Sequence, residues 1–395
     1  MLFCRIFYKI LYTLFDLIFE IIGKLRQFPH PVTQTLLIIR PDNIGDYILF
    51  RNLLGFIRNS PQYQGFKITL LGNFAYKALA ETLDKDFIDE FLWLDISEYR
   101  QRRVSGFLYT FSITWKLCNI QFHTIFYPVF SRVHHYDKLV GKLHGTNKIA
   151  CLGDKANKRG KSDITERVYN RIIQTEPTNG IFEFERNKEI ISKFLGEKIE
   201  QAKPNIETNL LPAATLILPK QYVVFHVDAS SSESIWPQEN FAQAAEYIYQ
   251  KYSLPIVLLG YSNNVEPLMR LLSTNGIINL YNKTSLPESA AILSKADIFI
   301  GNDSGLLHIA AAVGVQKIIC LCKGNTYGRF VPYPSFSSKE EYYFVFPPII
   351  ECKLEDEYAL KVKYADGRYE DIKTIPLSRV LKLIDTIFQG HKVIK

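Results

Sequence analysis

Three short stretches of the chain combine carboxylates, hydroxyls and histidines with glycine or proline at points where an apolar run gives way to a helical pattern. The first is Pro41-Asp42-Asn43-Ile44-Gly45-Asp46. A carboxylate at the tip of a strand can take a proton from an incoming hydroxyl, which makes Asp46 a candidate general base and Asp42 the alternative. Asp46 could equally be a first-turn carboxylate that only favours the helix dipole. The second stretch places His226 at the end of an apolar run and then offers the hydroxyls of Ser230, Ser231 and Ser232, ahead of Trp236-Pro237. The third is Asn302-Asp303-Ser304-Gly305, followed by His308 one helical turn beyond Ser304. Asp303 or Ser304 can cap the helix that follows, whose free N–H groups and positive dipole end make a phosphate site. His308 could face such a ligand or be a satisfied buried histidine.

The elements that must hold these residues follow from periodicity. In the first half, strands are expected at Thr35 to Arg40, Phe66 to Leu71, Ile88 to Leu94, Thr124 to Val129 and Lys148 to Leu152. Helices are expected at Tyr47 to Arg58, Tyr76 to Leu83, Gly106 to Asn119 and Ile164 to Thr175. A polar stretch with Pro204 and Pro212, roughly 199 to 219, reads as a linker. A second series then alternates strands near Tyr222 to Val227, Pro255 to Gly260, Gly276 to Leu280, Asp297 to Gly301 and Lys317 to Leu321 with helices at Gln238 to Tyr252, Val265 to Leu272, Leu286 to Ser294 and Leu306 to Val313. A last helix, Leu377 to Phe388, is expected to pack back across the junction of the two halves. Such alternation specifies α/β domains with doubly wound parallel sheets, here an N-terminal one over 35–200 and a C-terminal one over 213–395.

Residues 1–28 stand apart. Arg5, Lys9, Thr13, Asp16, Glu20 and Lys24 recur three or four apart on one narrow face, and nearly everything else is Leu, Ile, Phe or Tyr. Charges at every turn argue against a span, so the helix is expected in a membrane interface, with packing into a groove of its own protein as the alternative. Cleavable signal features are absent from this stretch. The chain carries a formal net charge of +7, and Arg100 to Lys161 alone holds 12 Lys and Arg against Asp137 and Asp154. That concentration favours an anionic partner or a solvated basic face. No nucleic-acid motif accompanies it, so no nucleic acid is expected among the partners. The six cysteines show no CxxC pairing and read as buried free thiols of a reducing cytoplasm.

Taken together, the blocks IIRPDNIGDYILFRNLL, FHVDASSSESIWPQENFAQAAEYI and NDSGLLHIAAAVGVQKIICL resemble glycosyltransferase family 9, the heptosyltransferase family, over most of residues 35 to 335. The resemblance implies a GT-B fold, two Rossmann-like domains facing a cleft, with acceptor bound by the first and nucleotide-sugar by the second. It implies inverting, metal-independent transfer of a sugar, such as heptose from ADP-heptose, onto a lipopolysaccharide-core or other surface-glycan acceptor. The setting it implies is the cytoplasmic face of the bacterial inner membrane, with an anionic glycan or glycolipid as partner. By resemblance Asp46 matches the family's base with Asn43 and Gly45 beside it on the acceptor side, while His226, Ser230, Ser231, Ser232, Asp303, Ser304, Gly305 and His308 line the donor site. Many members carry a lysine two residues before the Trp-Pro pair, where this chain has Ser234; Arg329 or Lys323 is expected to supply the missing cation. An NDP-sugar epimerase or hydrolase on the same fold, or a nucleotide-sugar-binding protein without catalysis, are the alternatives. Asp84-Lys85-Asp86 has the D-x-D form of metal-dependent sugar transferases but follows a helix pattern, and no HExxH, GxSxG, GxGxxG or P-loop motif is present.

Overall fold

The computed structural model describes residues 2–25, 33–154, 157, 163–176, 180–213, 217–262, 269–325, 327–334, 336, 339–364 and 367–389. Two compact units divide the chain: Met1–Pro177 with Arg186–Ala202, and Thr178–Glu185 with Lys203–Lys395.

The first unit opens with helix α1 (Leu2–Leu25) and then alternates. Strand β1 (Thr35–Arg40) leads to α2 (Ile44–Arg51) and α3 (Leu54–Asn59), β2 (Lys67–Asn73) to α4 (Lys77–Leu83), and β3 (Glu90–Leu94) to α5 (Val104–Cys118). Next come β4 (Gln121–Tyr127), α6 (His134–Lys142), β5 (His144–Cys151), α7 (Thr165–Val168), β6 (Arg171–Ile173) and, from Arg186 on, α8 (Glu183–Leu195). All six strands pair in parallel in the order β3-β2-β1-β4-β5-β6. Runs such as Leu36-Leu37-Ile38-Ile39 form central strands because both faces of a parallel sheet are covered by helices and every side chain is buried.

The second unit repeats the plan. It runs β7 (Val223–His226), α9 (Gln238–Tyr252), β8 (Ile256–Leu259), α10 (Met269–Leu272), β9 (Ile277–Asn279) and α11 (Leu286–Leu293), then β10 (Ile298–Asn302), α12 (Gly305–Ala312), β11 (Lys317–Leu321) and β12 (Glu341–Val345). Helices α13 (Pro348–Glu351), α14 (Glu357–Tyr364) and α15 (Leu377–Phe388) complete it. This sheet is also parallel throughout, in the order β12-β11-β10-β7-β8-β9. In each sheet the chain works outward in one direction and then returns to the middle to build the other. The reversal falls between β1 and β4 in one sheet and between β7 and β10 in the other, and open α/β sheets bind ligands beyond the carboxyl ends of strands at that point.

Several expectations need correction. The helix expected over Ile164 to Thr175 is a single turn, α7, followed by the edge strand β6, which pairs with β5 through Ile149 and Arg171. The start of the helix expected at Val265 lies outside the described residues, and only Met269–Leu272 of it is seen. Helices α6 and α8 and strand β12 were not anticipated. Helix α15 packs on α9 within the second unit: Tyr247 and Tyr252 both donate to the Asp385 carboxylate, and Tyr252 stacks on Phe388.

Helix α1 belongs to the core of the first unit. Tyr8, Tyr12, Phe15 and Phe19 are buried in one cluster with residues of β4, α5 and α6. A Cβ on Gly23 would stand 2.7 Å from the Lys142 carbonyl oxygen, so close is the approach to α6. Asp16 accepts both guanidinium nitrogens of Arg100, at 2.8 and 3.0 Å, and the ammonium groups of Lys138 and Lys142. Burial alone would raise that carboxyl, but the bonds from Arg100 and Lys142 outweigh it and hold it far below the usual carboxylate range. Much of the basic segment is therefore internal wiring. Arg132 is likewise buried on Asp137, while Lys155, Lys158, Arg159 and Lys161 lie outside the described residues. Four described cysteines are buried thiols as expected, Cys320 and Cys322 lying with sulfurs 3.4 Å apart, but Cys352 is exposed.

Candidate functional site

Beyond β1, at the reversal point of the first sheet, the polar groups answer one another. Asp46 stands in the first turn of α2, and its carboxylate accepts the Asn43 backbone N–H at 3.3 Å. Asn43 caps the helix and Gly45 is buried at its start. Arg40, fully buried at the end of the strand, holds the corner from beneath. Its guanidinium pairs with Asp42 at 2.8 Å, donates to the Asp46 backbone carbonyl at 3.1 Å, and lies 4.4 Å from the centre of the Phe50 ring. Asn73 closes the other side by donating to the Asp42 carbonyl. Asp42, the alternative base, is thus ion-paired with Arg40, and both Asp42 and Asp46 retain partial exposure. The positioning role of Arg40 was missed in the sequence, where it reads only as the end of an apolar strand; a charge closing such a strand was the available signal.

Asp84 of the D-x-D stretch is not a surface ligand. It is buried, bonded to Arg51 at 2.7 Å and to the Tyr47 hydroxyl.

In the second unit, the ends of β7 and β10 lie side by side, and the residues expected at the donor site gather there. A Cβ on Gly301 would stand 2.6 Å from the His226 carbonyl oxygen, so the two strands meet closely. His226 is buried, its Nδ1 facing the Leu259 carbonyl at 3.1 Å, and burial lowers its pKa. Asn302 ties the loop beyond β7 in place: its amide donates to the Val227 carbonyl, and its oxygen accepts the Trp236 N–H. Trp236 is itself fixed by donating from its indole to the Ile375 carbonyl at 3.0 Å. Between these anchors Ser230 and Ser232 are exposed, and the Ser231 and Ser234 hydroxyls are 3.1 Å apart.

Beyond β10, Asp303 is held by its N–H bond to the Leu321 carbonyl. Burial pushes its carboxyl up to about 6, with the Lys323 ammonium pulling the other way. Ser304 is the N-cap of α12, yet its side chain makes no capping bond, and its hydroxyl oxygen is shielded from solvent without a hydrogen-bond partner. Gly305 begins the helix. A helix N-terminus with its orphan N–H groups, an unengaged hydroxyl and a nearby cation form an anion-receptive corner.

Two further residues expected at the donor site make internal bonds. His308 is buried, its Nδ1 bonded to the Tyr333 hydroxyl with the rings stacked, and burial lowers its pKa to about 4. Arg329 is not a free cation, since its Nε donates to buried Glu183 at 2.7 Å. Lys323 is the cation that reaches the serine loop, its ammonium 3.4 Å from the Ser231 hydroxyl and 4.1 Å from the centre of the Tyr369 ring. Burial lowers its pKa, against the pull of Glu233 and Asp303.

With this geometry in view, comparisons with known proteins can be set beside it. Residues 136–333 match the family model described as glycosyltransferase family 9 (heptosyltransferase). The chain is 26% identical over 170 residues, 41% of its own length, to lipopolysaccharide heptosyltransferase 1 of Campylobacter coli, and spans about half (48%) of that relative. Among solved structures it is similar in fold to E. coli heptosyltransferase WaaC with ADP-2-deoxy-2-fluoro heptose, at TM-score 0.64 and 16% identity, covering 89% of this chain and 99% of that one. A family 9 glycosyl transferase from Veillonella parvula is similar at TM-score 0.62 and 14% identity, covering 91% and 98%.

Proposed function

Because the chain belongs to glycosyltransferase family 9, the heptosyltransferase family, we propose that it transfers a sugar from a nucleotide-sugar, ADP-heptose, to the core of lipopolysaccharide or a related surface glycan. The acceptor is anionic and lipid-linked, and the reaction takes place at the cytoplasmic face of the bacterial inner membrane. Transfer proceeds with inversion and without a metal. The acceptor oxygen attacks the anomeric carbon while the bond from that carbon to the diphosphate breaks, the electron pair leaving with ADP. Asp46 takes the acceptor proton, a task worth about 10²–10⁴-fold in rate.

The observation that carries this reading is the corner after β10. The start of α12 and the unpartnered Ser304 hydroxyl would receive the diphosphate, and the Lys323 ammonium, which stands against the serine loop, would offset the charge that develops as ADP leaves. Lys323 thereby takes the place of the lysine that Ser234 replaces. Arg40 is the positioning residue of the other corner, fixing the backbone that carries Asp46.

The test is a panel of nucleotide-sugars assayed with EDTA present. ADP-heptose alone should raise the melting temperature and support transfer, and the product should have inverted configuration. Transfer that returns only when a divalent cation is restored would overturn the mechanism, and release of the free sugar without acceptor would favour the hydrolytic alternative.

A further inference from the structure

Helix α1 is apolar on two sides, and only one of them is covered. Its inner side, with Tyr8, Tyr12, Phe15 and Phe19, is core. Beside it runs the polar arc of Arg5, Lys9, Thr13, Asp16 and Glu20, and beyond that eight large apolar side chains between Ile6 and Leu25 lie open, Phe7 57% exposed and Leu25 75%. At 100° per residue those eight span about a third of the circumference with no described polar side chain among them. Helix α5 adds a second row. Val104, Leu108, Phe111 and Trp115, spaced four, three and four apart, form one stripe, with Leu108 60% exposed and Trp115 47%. Helix α5 packs against the inner side of α1, where buried Phe19 meets Phe111 at 5.5 Å and Trp115 at 6.3 Å between ring centres, so the two open rows belong to neighbouring helices. Twelve of the 24 large apolar side chains exposed among the described residues therefore lie on these two helices. Monomeric proteins rarely leave a continuous apolar patch of more than a few hundred Å² uncovered without a partner for it.

The charges around the face identify that partner. No acidic residue occurs between Glu98 and Asp137, whereas Arg102 and Lys116 stand at the two ends of α5 and Arg5 and Lys9 flank α1. On α1 itself, Asp16 is neutralised by Arg100, Lys138 and Lys142, and Glu20 faces Arg167 at 3.4 Å. What remains is an apolar surface rimmed by cations, with a tryptophan among its exposed rings. Among the described residues no helix is long and apolar enough to cross a membrane, so α1 can only lie along one.

We infer that α1 and α5 together are the surface by which this protein seats on an anionic lipid bilayer, both helices lying in the plane of the interface with their open apolar rows among the acyl chains. The choice of a bilayer rests on the lipid-linked acceptor of the reading above. The anchor is thus a two-helix platform welded to the first unit, and α1 cannot be removed without exposing the core beneath it.

The inner side of α1 being core, the test leaves it intact. Full-length protein is sedimented with vesicles of mixed phosphatidylethanolamine and phosphatidylglycerol, and with vesicles of phosphatidylcholine alone, at low and high salt. Two variants carry substitutions at exposed positions only: Leu14→Gln/Ile18→Gln/Ile21→Gln on α1, and Leu108→Gln/Trp115→Gln on α5. Unmodified protein should bind the anionic vesicles, less at high salt, and each variant should lose at least about tenfold in partitioning with its melting temperature unchanged. Loss on the α1 variant but not the α5 variant would overturn the two-helix platform. Equal binding by all three proteins, or no binding by the unmodified one, would overturn the proposal, as would a dimer that both variants dissolve, which would make a second copy the occupant. Transfer to a soluble, delipidated acceptor, measured in parallel, should persist in both variants; its absence in the unmodified protein would count against the transferase reading and leave the vesicle result standing.

Discussion

The corner after β1 and the corner after β10 are built to one plan, a parallel strand ending in a short polar turn and a helix, yet their polar atoms are in opposite conditions. In the first, Arg40 engages Asp42 and the Asp46 backbone, and the Asp46 carboxylate closes on the Asn43 N–H. In the second, the cap hydroxyl of Ser304 is unengaged, the Asp303 carboxyl is raised toward neutrality, and the ammonium of Lys323 is only loosely tied. A group that has to act on a proton needs a fixed position and a defined charge, which internal bonds supply. A group that has to receive a diphosphate needs open donors, because each donor already bonded within the protein would have to be released first.

The sharpest way to break the comparison is at Asp46. Asp46→Asn keeps the bond to the Asn43 N–H and removes the proposed base, so kcat should fall by about 10²–10⁴-fold while donor affinity and melting temperature hold. A loss below about fivefold would transfer the role to another group, Asp42 being the next to substitute.

The two cations of the second unit should separate just as clearly. Lys323→Gln should lower kcat/KM by about 10²-fold with little change in stability. Arg329→Gln should instead remove the ion pair to buried Glu183 and cost about 3–5 kcal/mol in denaturant unfolding. Equal kinetic losses in the two variants, corrected for folded fraction, would erase the distinction drawn between them.

A smaller contrast concerns the caps. Ser285 accepts the Glu288 N–H and completes a capping box at the start of α11, so Ser285→Ala should cost about 1 kcal/mol. Ser304→Ala should leave stability almost unchanged, since that hydroxyl makes no capping bond, and should show itself in a raised KM for the donor. If Ser304→Ala destabilises as much as Ser285→Ala, the hydroxyl is a cap after all.

The smallest effects lie in pH. Folding raises the Asp303 pKa to about 6, so between the ordinary carboxylate range and pH 6 the folded state holds the extra proton and stability falls as pH rises. Folding lowers the His308 pKa to about 4, so between about 4 and 6.5 the unfolded state holds the extra proton and stability rises with pH. The two oppose each other over most of that window. Melting temperatures followed across it should climb more steeply with pH in Asp303→Asn and flatten or turn downward in His308→Gln. Parallel profiles in all three proteins would remove both assignments.

Much of this was legible along the chain. Continuous apolar runs such as Leu36 to Ile39 and Ile298 to Ile300 announce buried parallel strands, and the polar corners after them announce helix starts, because both signals are local. The misreadings have a common cause. Ile164, Val168 and Ile172 sit at helical spacing, yet Arg171–Ile173 is a strand because the free edge of β5 needed a partner. The short, aromatic Glu341–Val345 run becomes a strand for the same reason at the edge of β11. For both segments the deciding hydrogen bonds lie with residues distant in sequence.

Residue type and order by themselves determined that this chain forms two doubly wound parallel sheets, that a carboxylate follows one central strand and a serine-glycine helix start follows another, and that α1 is apolar on more than one side. Those properties depend on periodicity and on neighbours a few positions apart. Only the tertiary structure decided that both corners fall where their sheets reverse direction, that Lys323 reaches the serine loop while Arg329 pairs with Glu183, that His308 is bonded to Tyr333, and that Asp16 pins α1 to the core while its other side stays open. Strand order and the choice of ion-pair partner are settled by which distant segments can be desolvated together with their charges matched, and that balance exists only once the chain has folded.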